Sequence, residues 1–367
     1  MLSYRTTGFN GYAVQYSPFF DNRLAVASSV NFGLVGNGRL HVLRITDQGQ
    51  IQPEMELDTQ DGLFDLAWSE THENHVVTAS GDGDIKLFDV AAGRAFPIMR
   101  FREHTKEVFS VNWNMVQRDI FCSASWDGTI KVWNPTRPES MTTLHTPVAV
   151  GAAAAPPAPV PTPPMTANQK PMAPNNNPVC IHNAKFSPHS PNLIASAHAD
   201  SHVRIWDIRA PAQGSLVQDF FAHAGTEVLG LDFNKYRQTV LATAGVDKAV
   251  KIWDLRHIPP STANEVSYPS PSNELLGHNY AVRSVSWSPH ASDILLSTSY
   301  DMTARVWRDV ADDRARYLTR INHNSGLLQV MNKHTEFVIG SDWSLWGQQG
   351  WVATVGWDEM LHVWKAT

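Results

Sequence analysis

Histidine, a hydroxyl residue, aspartate and tryptophan recur along this chain at fixed spacing. Four sets are complete: His104, Ser123, Asp127 and Trp133; His223, Thr243, Asp247 and Trp253; His278, Ser297, Asp301 and Trp307; His334, Thr354, Asp358 and Trp364. Two sets lack the histidine: Thr78, Asp82 and Phe88, and Ser196, Asp200 and Trp206. Histidine, serine and aspartate are the parts of an acyl-transfer triad, in which the imidazole activates the hydroxyl and the carboxylate orients the imidazole. That chemistry needs one copy, with its hydroxyl exposed beside an oxyanion hole. Four copies at one spacing point to another use. A hydrogen-bonded chain from Trp through Ser or Thr and His to Asp would clamp neighbouring strands and satisfy buried polar groups. No residue is therefore assigned a catalytic role, and the chain is expected not to be an enzyme.

Other chemistry finds little support. There is no Gly-x-x-x-x-Gly-Lys phosphate loop and no His-Glu-x-x-His. Gly81-Asp-Gly-Asp84 has a calcium-like start but lacks the remaining loop ligands. The only cysteines, Cys122 and Cys180, lie in apolar runs and make neither a metal motif nor a disulfide framework. No metal and no cofactor is expected.

The elements that carry the repeat are short strands. Val-Phe-Ser-Val-Asn-Trp at 108–113 and Val-Arg-Ser-Val-Ser-Trp at 282–287 alternate with period two. Asp-Gly, Ser-Pro and Gly-His pairs separate the runs as turns. Units of roughly 40–57 residues match four-stranded propeller blades. Six blades carry the Asp marker, and a degenerate seventh opens the chain from Tyr12, with Asn37 and Leu43 at its marker positions. The expected architecture is all-β, a seven-bladed WD40 propeller occupying residues 1–367 as one domain. The chain ends on an inner-type strand at 361–365, so residues 2–7 are expected to cross back and close the ring. Residues 135–178 hold twelve prolines and read as a flexible insertion within the propeller.

A propeller presents turn residues and strand starts around its channel mouth. The residues preceding each turn Asp include three large aromatics, Trp126, Tyr300 and Trp357. Positions at the start of the innermost strands add Asp61, Phe64, Glu107, Phe109, His182, Glu227, Leu229, Arg283 and Phe337. Aromatic rings with acids beside them suit an amphipathic basic peptide: rings take its apolar side chains and carboxylates take Arg or Lys. The acidic pair Asp61 and Glu107 is expected to receive the basic end.

Composition agrees. Of 367 residues, 43% are hydrophobic and 17% charged, enough for a large buried core. The formal net charge of −6 disfavours a nucleic-acid partner. No stretch reads as a signal peptide or a membrane span, so the chain is expected to be cytosolic, without direct membrane insertion.

Several longer segments closely resemble the peroxin seven family of peroxisomal import receptors. They are Gly11-Tyr-Ala-Val-Gln-Tyr-Ser-Pro-Phe-Phe-Asp-Asn-Arg-Leu-Ala-Val26, Asn31-Phe-Gly-Leu-Val-Gly-Asn-Gly38, Leu63-Phe-Asp-Leu-Ala-Trp-Ser-Glu70 and Glu107-Val-Phe-Ser-Val-Asn-Trp-Asn114. The resemblance covers all seven blades, and the proline-rich stretch is the main departure. It implies binding of cargo proteins that carry the type-2 peroxisomal targeting signal, work with a separate co-receptor, delivery to a docking complex at the peroxisomal membrane, and cycling between cytoplasm and peroxisome. That signal places a basic and an aliphatic residue, then five spacers, then His or Gln and a small aliphatic residue. A seven-residue step is about two helical turns, so one helix face carries all four. The rival reading is a substrate adaptor of a cullin-type ubiquitin ligase. It rests on Ile205-Trp-Asp-Ile-Arg209 and Ile252-Trp-Asp-Leu-Arg256, where only the arginines add to the repeat.

Overall fold

The structure, a computed structural model, describes residues 1–147, 178–223, 225–261, 267–310, 326–346 and 349–366. Within them the chain forms seven antiparallel four-stranded sheets. The innermost strands, in order of blades 1 to 7, are Asn10–Tyr16, Leu63–Trp68, Val108–Trp113, Ile181–Phe186, Val228–Phe233, Val282–Trp287 and Val338–Trp343. Blades 1 to 6 each run outward through three further consecutive strands. Blade 7 borrows its outermost strand from the other end of the chain. Leu2–Arg5 pairs antiparallel with Met360–Lys365, Leu2 opposite Val363 and Arg5 opposite Met360. Ring closure by the N-terminal strand leaves no inner sheet edge unpaired there.

The outermost strand of blade 3 is Thr142–His145, paired with Thr129–Trp133. This corrects the start of the expected insertion, because residues 142–145 belong to the blade. Its remainder, residues 148–177, lies outside the described residues.

The apolar core is divided into layers between adjacent blades. Trp253 of blade 5 packs with Val203, Ile205 and Phe220 of blade 4, and Trp133 of blade 3 with Ile85, Leu87 and Phe101 of blade 2. Blades 7 and 1 share Val14, Leu24 and Val26 with Val355, Leu361 and Val363. Each blade is covered on both faces, so middle strands such as Phe121–Ser125 and Ile294–Ser299 are buried along their whole length.

Side chains of the innermost strands stitch neighbouring blades around the channel. Asp65 accepts the Val111 N–H at 3.0 Å, Asp232 that of Trp287 at 2.8 Å, and Asp342 that of Tyr16 at 2.8 Å. Asn112 and Gln15 do the same for Phe186 and Trp68, at 2.9 and 2.8 Å. Burial pushes the carboxyl of Asp65 up to about 6 and that of Asp342 up to about 7. Lys185 bonds Asp232 at 3.1 Å across the blade 4 and blade 5 boundary.

Candidate peptide-binding face

All four complete His, Ser or Thr, Asp and Trp sets form closed chains. His104 Nδ1 lies 2.8 Å from Asp127, its Nε2 2.7 Å from Ser123 Oγ, and Trp133 Nε1 donates to the same Oγ at 2.8 Å. In blade 5, His223 meets Asp247 at 2.7 Å and Thr243 at 2.8 Å, and Trp253 donates to Thr243 at 2.9 Å. His278, Asp301, Ser297 and Trp307 repeat this at 2.7–2.8 Å. His334, Asp358, Thr354 and Trp364 do so at 2.9–3.3 Å. Burial opposes ionisation of Asp127, but hydrogen bonds from His104 and Thr129 hold its carboxyl well below the usual range. Asp247 is likewise held down to about 2, against burial, by His223 and Lys251. Ser123, Thr243, Ser297 and Thr354 are fully buried, which suits a clamp and bars a nucleophile from substrate.

In two blades without a complete set, a histidine from outside the repeat reaches the clamp hydroxyl. In blade 4, His198 from the second strand reaches Ser196 Oγ at 2.6 Å, and Trp206 donates to that Oγ at 2.7 Å. In blade 1, His41 bonds Ser28 at 3.1 Å and Glu56 at 3.2 Å.

The channel mouth is built by a β-bulge repeated in every blade. The register of the innermost strand skips one residue near its start: Tyr12, Phe64, Phe109, His182, Leu229, Arg283 and Ile339. A bulge leaves its residue unpaired and re-aims the side chain. Above these sit the turn residues, each tied to the start of its innermost strand. Trp126 N–H donates to Glu107 O at 3.1 Å and Trp357 N–H to Phe337 O at 2.9 Å.

These two tiers, with Phe337 just before the innermost strand of blade 7, produce a continuous arc of seven rings. Trp126 stacks on Phe109 at 4.3 Å, and Phe109 on Phe64 at 4.6 Å. Phe64 meets Tyr12 at 5.1 Å, and Tyr12 meets Trp357 at 5.9 Å. Trp357 meets Phe337 at 5.2 Å, and Phe337 stacks on Tyr300 at 4.8 Å. Polar groups complete the circle. Trp126 Nε1 donates to His182 Nδ1 at 3.3 Å, His182 Nε2 faces Glu227 at 3.0 Å, and Arg283 donates to Leu229 O at 2.9 Å. The hydrogen bond from His182 holds the Glu227 carboxyl below its ordinary range, against burial.

The expected face changes in three respects. Phe64, His182 and Leu229 are buried in the ring wall and support neighbours rather than lie open. Asp61 and Glu107 are half-buried, and they are not equivalent: Glu107 directly precedes its strand, where blade 2 has Gly62. Asp61 caps the Gly62 N–H at 2.7 Å. Trp126, Phe109, Tyr300, Phe337 and Trp357 stay partly open, and Glu227 is exposed.

Tyr12 and Ile339 were missed. Both stand four residues before the aromatic that ends the innermost strand, as Phe64 does before Trp68 and Phe109 before Trp113, and that spacing could have found them. Phe32 was missed as well. Its φ of 57° is unusual for a side chain of that size. It is held there by Asn10 Oδ1 on its N–H at 2.9 Å and by the Tyr12 hydroxyl on its carbonyl at 2.6 Å. Its ring meets Trp357 at 5.3 Å, and the loop beyond it exposes Leu34 (84%) and Val35 (76%). Arg209 and Arg256 lie just past the end of the third strand of their blades, away from the turn residues. Each folds back on its own repeat, pairing with Asp207 at 2.6 Å and with Asp254 at 2.5 Å.

A family model described as WD domain, G-beta repeat, matches residues 96–134, and one described as EIPR1 beta-propeller matches residues 167–307. The peroxisomal targeting signal 2 receptor of Komagataella phaffii is 48% identical over 376 residues, covering 100% of this chain and 99% of that protein. That of Saccharomyces cerevisiae is 45% identical over 378 residues, with the same coverage. The chain belongs to the family of peroxisomal targeting signal 2 receptors. The human protein of that name is 34% identical over 337 residues, covering 92% of this chain and 86% of that protein. Membership extends along the whole propeller, so the aromatic face belongs to a fold whose relatives are named as receptors. Among the described residues no helix is long and apolar enough to cross a membrane.

Proposed function

We propose that this chain binds the type-2 peroxisomal targeting signal, an amphipathic helix at the N-terminus of cargo proteins. With a separate co-receptor it delivers that cargo to a docking complex at the peroxisomal membrane, cycling between cytoplasm and peroxisome. One observation carries this reading: the seven-ring arc from Trp126 to Tyr300, with Asp61, Glu107 and Glu227 beside one end. Rings of this kind take aliphatic side chains from one face of a helix, and the acids favour a basic residue at its start. A short helix is marginal in water, so a co-receptor covering its open side supplies the order it lacks.

Titration of a labelled signal peptide, with co-receptor present, tests this. Reversing Asp61 and Glu107 to lysine sets like charge against the basic residue, at a cost on the order of 2–5 kcal/mol, and weakens binding well over tenfold. Melting curves run in parallel establish that each variant folds. Unchanged affinity in a folded double variant would place the site elsewhere on the ring.

A further inference from the structure

The third strand of each blade carries a side chain two positions before its aromatic or apolar anchor. In blades 2 to 6 it is a permanent cation: Lys86, Lys131, Arg204, Lys251 and Arg305. Four of these reach the turn carboxylate four residues earlier. The distances are 2.8 Å for Lys86 and Asp82, 2.6 Å for Arg204 and Asp200, 3.0 Å for Lys251 and Asp247, and 3.5 Å for Arg305 and Asp301. Lys131 turns to Glu103 instead, at 3.0 Å.

Blade 1 has His41 at this position but no turn carboxylate, whereas blade 7 pairs its turn Asp358 with His362. Its ring is only 5% exposed. Nδ1 lies 2.8 Å from Ser3 Oγ on the closing strand, while Nε2 is buried with no hydrogen-bond partner among the described residues. The ring packs edge-on against His334, centroids 4.7 Å apart. His334 Nδ1 in turn sits 3.0 and 2.9 Å from the two oxygens of Asp358. One donor atom from each of His334, Asp358 and His362 lies within 4.8 Å of the others. Where four blades place a cation on this carboxylate, blade 7 places the imidazole of His362.

We propose that blade 7 binds one divalent transition-metal ion, of the zinc type, through His334, Asp358 and His362. The ion occupies the position that the Lys or Arg charge fills in those four blades. Imidazole nitrogen and carboxylate oxygen are its preferred donors. With Nδ1–H donating to Ser3, the Nε2 lone pair of His362 is free to coordinate, and Ser3 acts as the outer-shell partner that orients it. His334 stays neutral by moving its proton from Nδ1 to Nε2, where Thr354 Oγ1 stands 3.1 Å away to accept it. No proton or electron is released. The donor atoms must draw in to the roughly 3.3 Å separation of ligands on a tetrahedral ion, and a fourth position remains for water. Because Ser3 belongs to Leu2–Arg5, the ion would fasten the closure of the ring.

The test uses the untagged full-length chain after chelator treatment. Zinc titrated by calorimetry should bind at one ion per chain and raise the melting temperature, while magnesium at the same concentration should not. His362→Lys copies the residue that meets the turn carboxylate in blades 2 and 5. It should melt at or above wild type without zinc and lose the zinc response. Ser3→Ala should keep the stoichiometry and weaken affinity about 10–100-fold. If His362→Lys does not fold, His362→Gln decides the same question. A wild-type chain whose melting ignores zinc overturns the proposal. So does zinc binding that persists undiminished in either His362 variant, which would assign the ion elsewhere, for example to the stacked pair His72 and His75.

Discussion

The indole N–H of Trp126 donates to Nδ1 of His182, and this bond assigns the imidazole proton to Nε2, facing Glu227. An aromatic residue of blade 3 is thereby coupled through blade 4 to an acid of blade 5. Trp126 ends the stacked part of the arc and remains partly open. Its truncation removes a large ring from the face without opening the core. Trp126→Ala should weaken signal-peptide binding by about 2–3 kcal/mol, the scale of an interface hot spot, with a nearly unchanged melting curve. Wild-type affinity in the folded variant would remove Trp126 from the site.

The closing strand holds blade 7 through its ladder, through Arg5 and Glu359 at 3.2 Å, and through Leu2 and Tyr4 packed on the core between blades 7 and 1. A chain starting at Gly8 loses this apolar cover, worth about 2–3 kcal/mol for two partly buried side chains. It should melt lower, and its bared edge should promote association visible by light scattering. Equal melting temperatures for the two chains would refute the role given to the strand.

Thr146 and Pro178, which flank residues 148–177, meet at one glycine. A Cβ built on Gly128 would lie 3.2 Å from Thr146 Oγ1 and 2.7 Å from Pro178 Cβ, so both flanks converge on that glycine. Replacing residues 148–177 by a short Gly/Ser linker should therefore change stability by less than about 1 kcal/mol, because loop-closure cost varies slowly with length. Limited proteolysis of the intact chain should cut there first. A large loss of stability on excision would show that the segment packs on the propeller.

Asp342 gives a pH dependence of unusual sign. Burial raises its carboxyl from an ordinary 3.8 to about 7. The folded chain thus holds this proton more tightly than the unfolded chain. The linked stability is greatest below the unfolded value and is lost as pH rises from about 4 to about 7, by at most about 1.4 kcal/mol per pH unit. Asp342→Asn keeps an acceptor for the Tyr16 N–H and removes the charge. The variant's melting temperature relative to wild type should rise across that window and level off above it. A difference that is flat with pH would show that Asp342 is solvated like a surface carboxylate.

Spacing along the chain was enough to count the blades, to find the His, Ser or Thr, Asp and Trp sets and to assign the closing strand. Each of these depends on contacts within one blade, or on pairing two ends that otherwise lack partners. Phe109, Arg283, Trp126, Tyr300 and Trp357 could be placed at the channel mouth for the same reason, since a turn sits at a fixed position in its own repeat. Other features were decided only when the ring closed. The aromatic arc joins residues from Tyr12 to Trp357 across five blades, and the angle between blades, not the repeat, sets those ring distances. The burial of Phe64 follows from its neighbours Tyr12 and Phe109, which belong to other blades. His198 and His41 fill clamp positions from strands where the repeat places no histidine. Local hydrogen bonding writes a period into sequence. Contacts between repeats leave no such period, because each pair of facing residues is met only once around the ring.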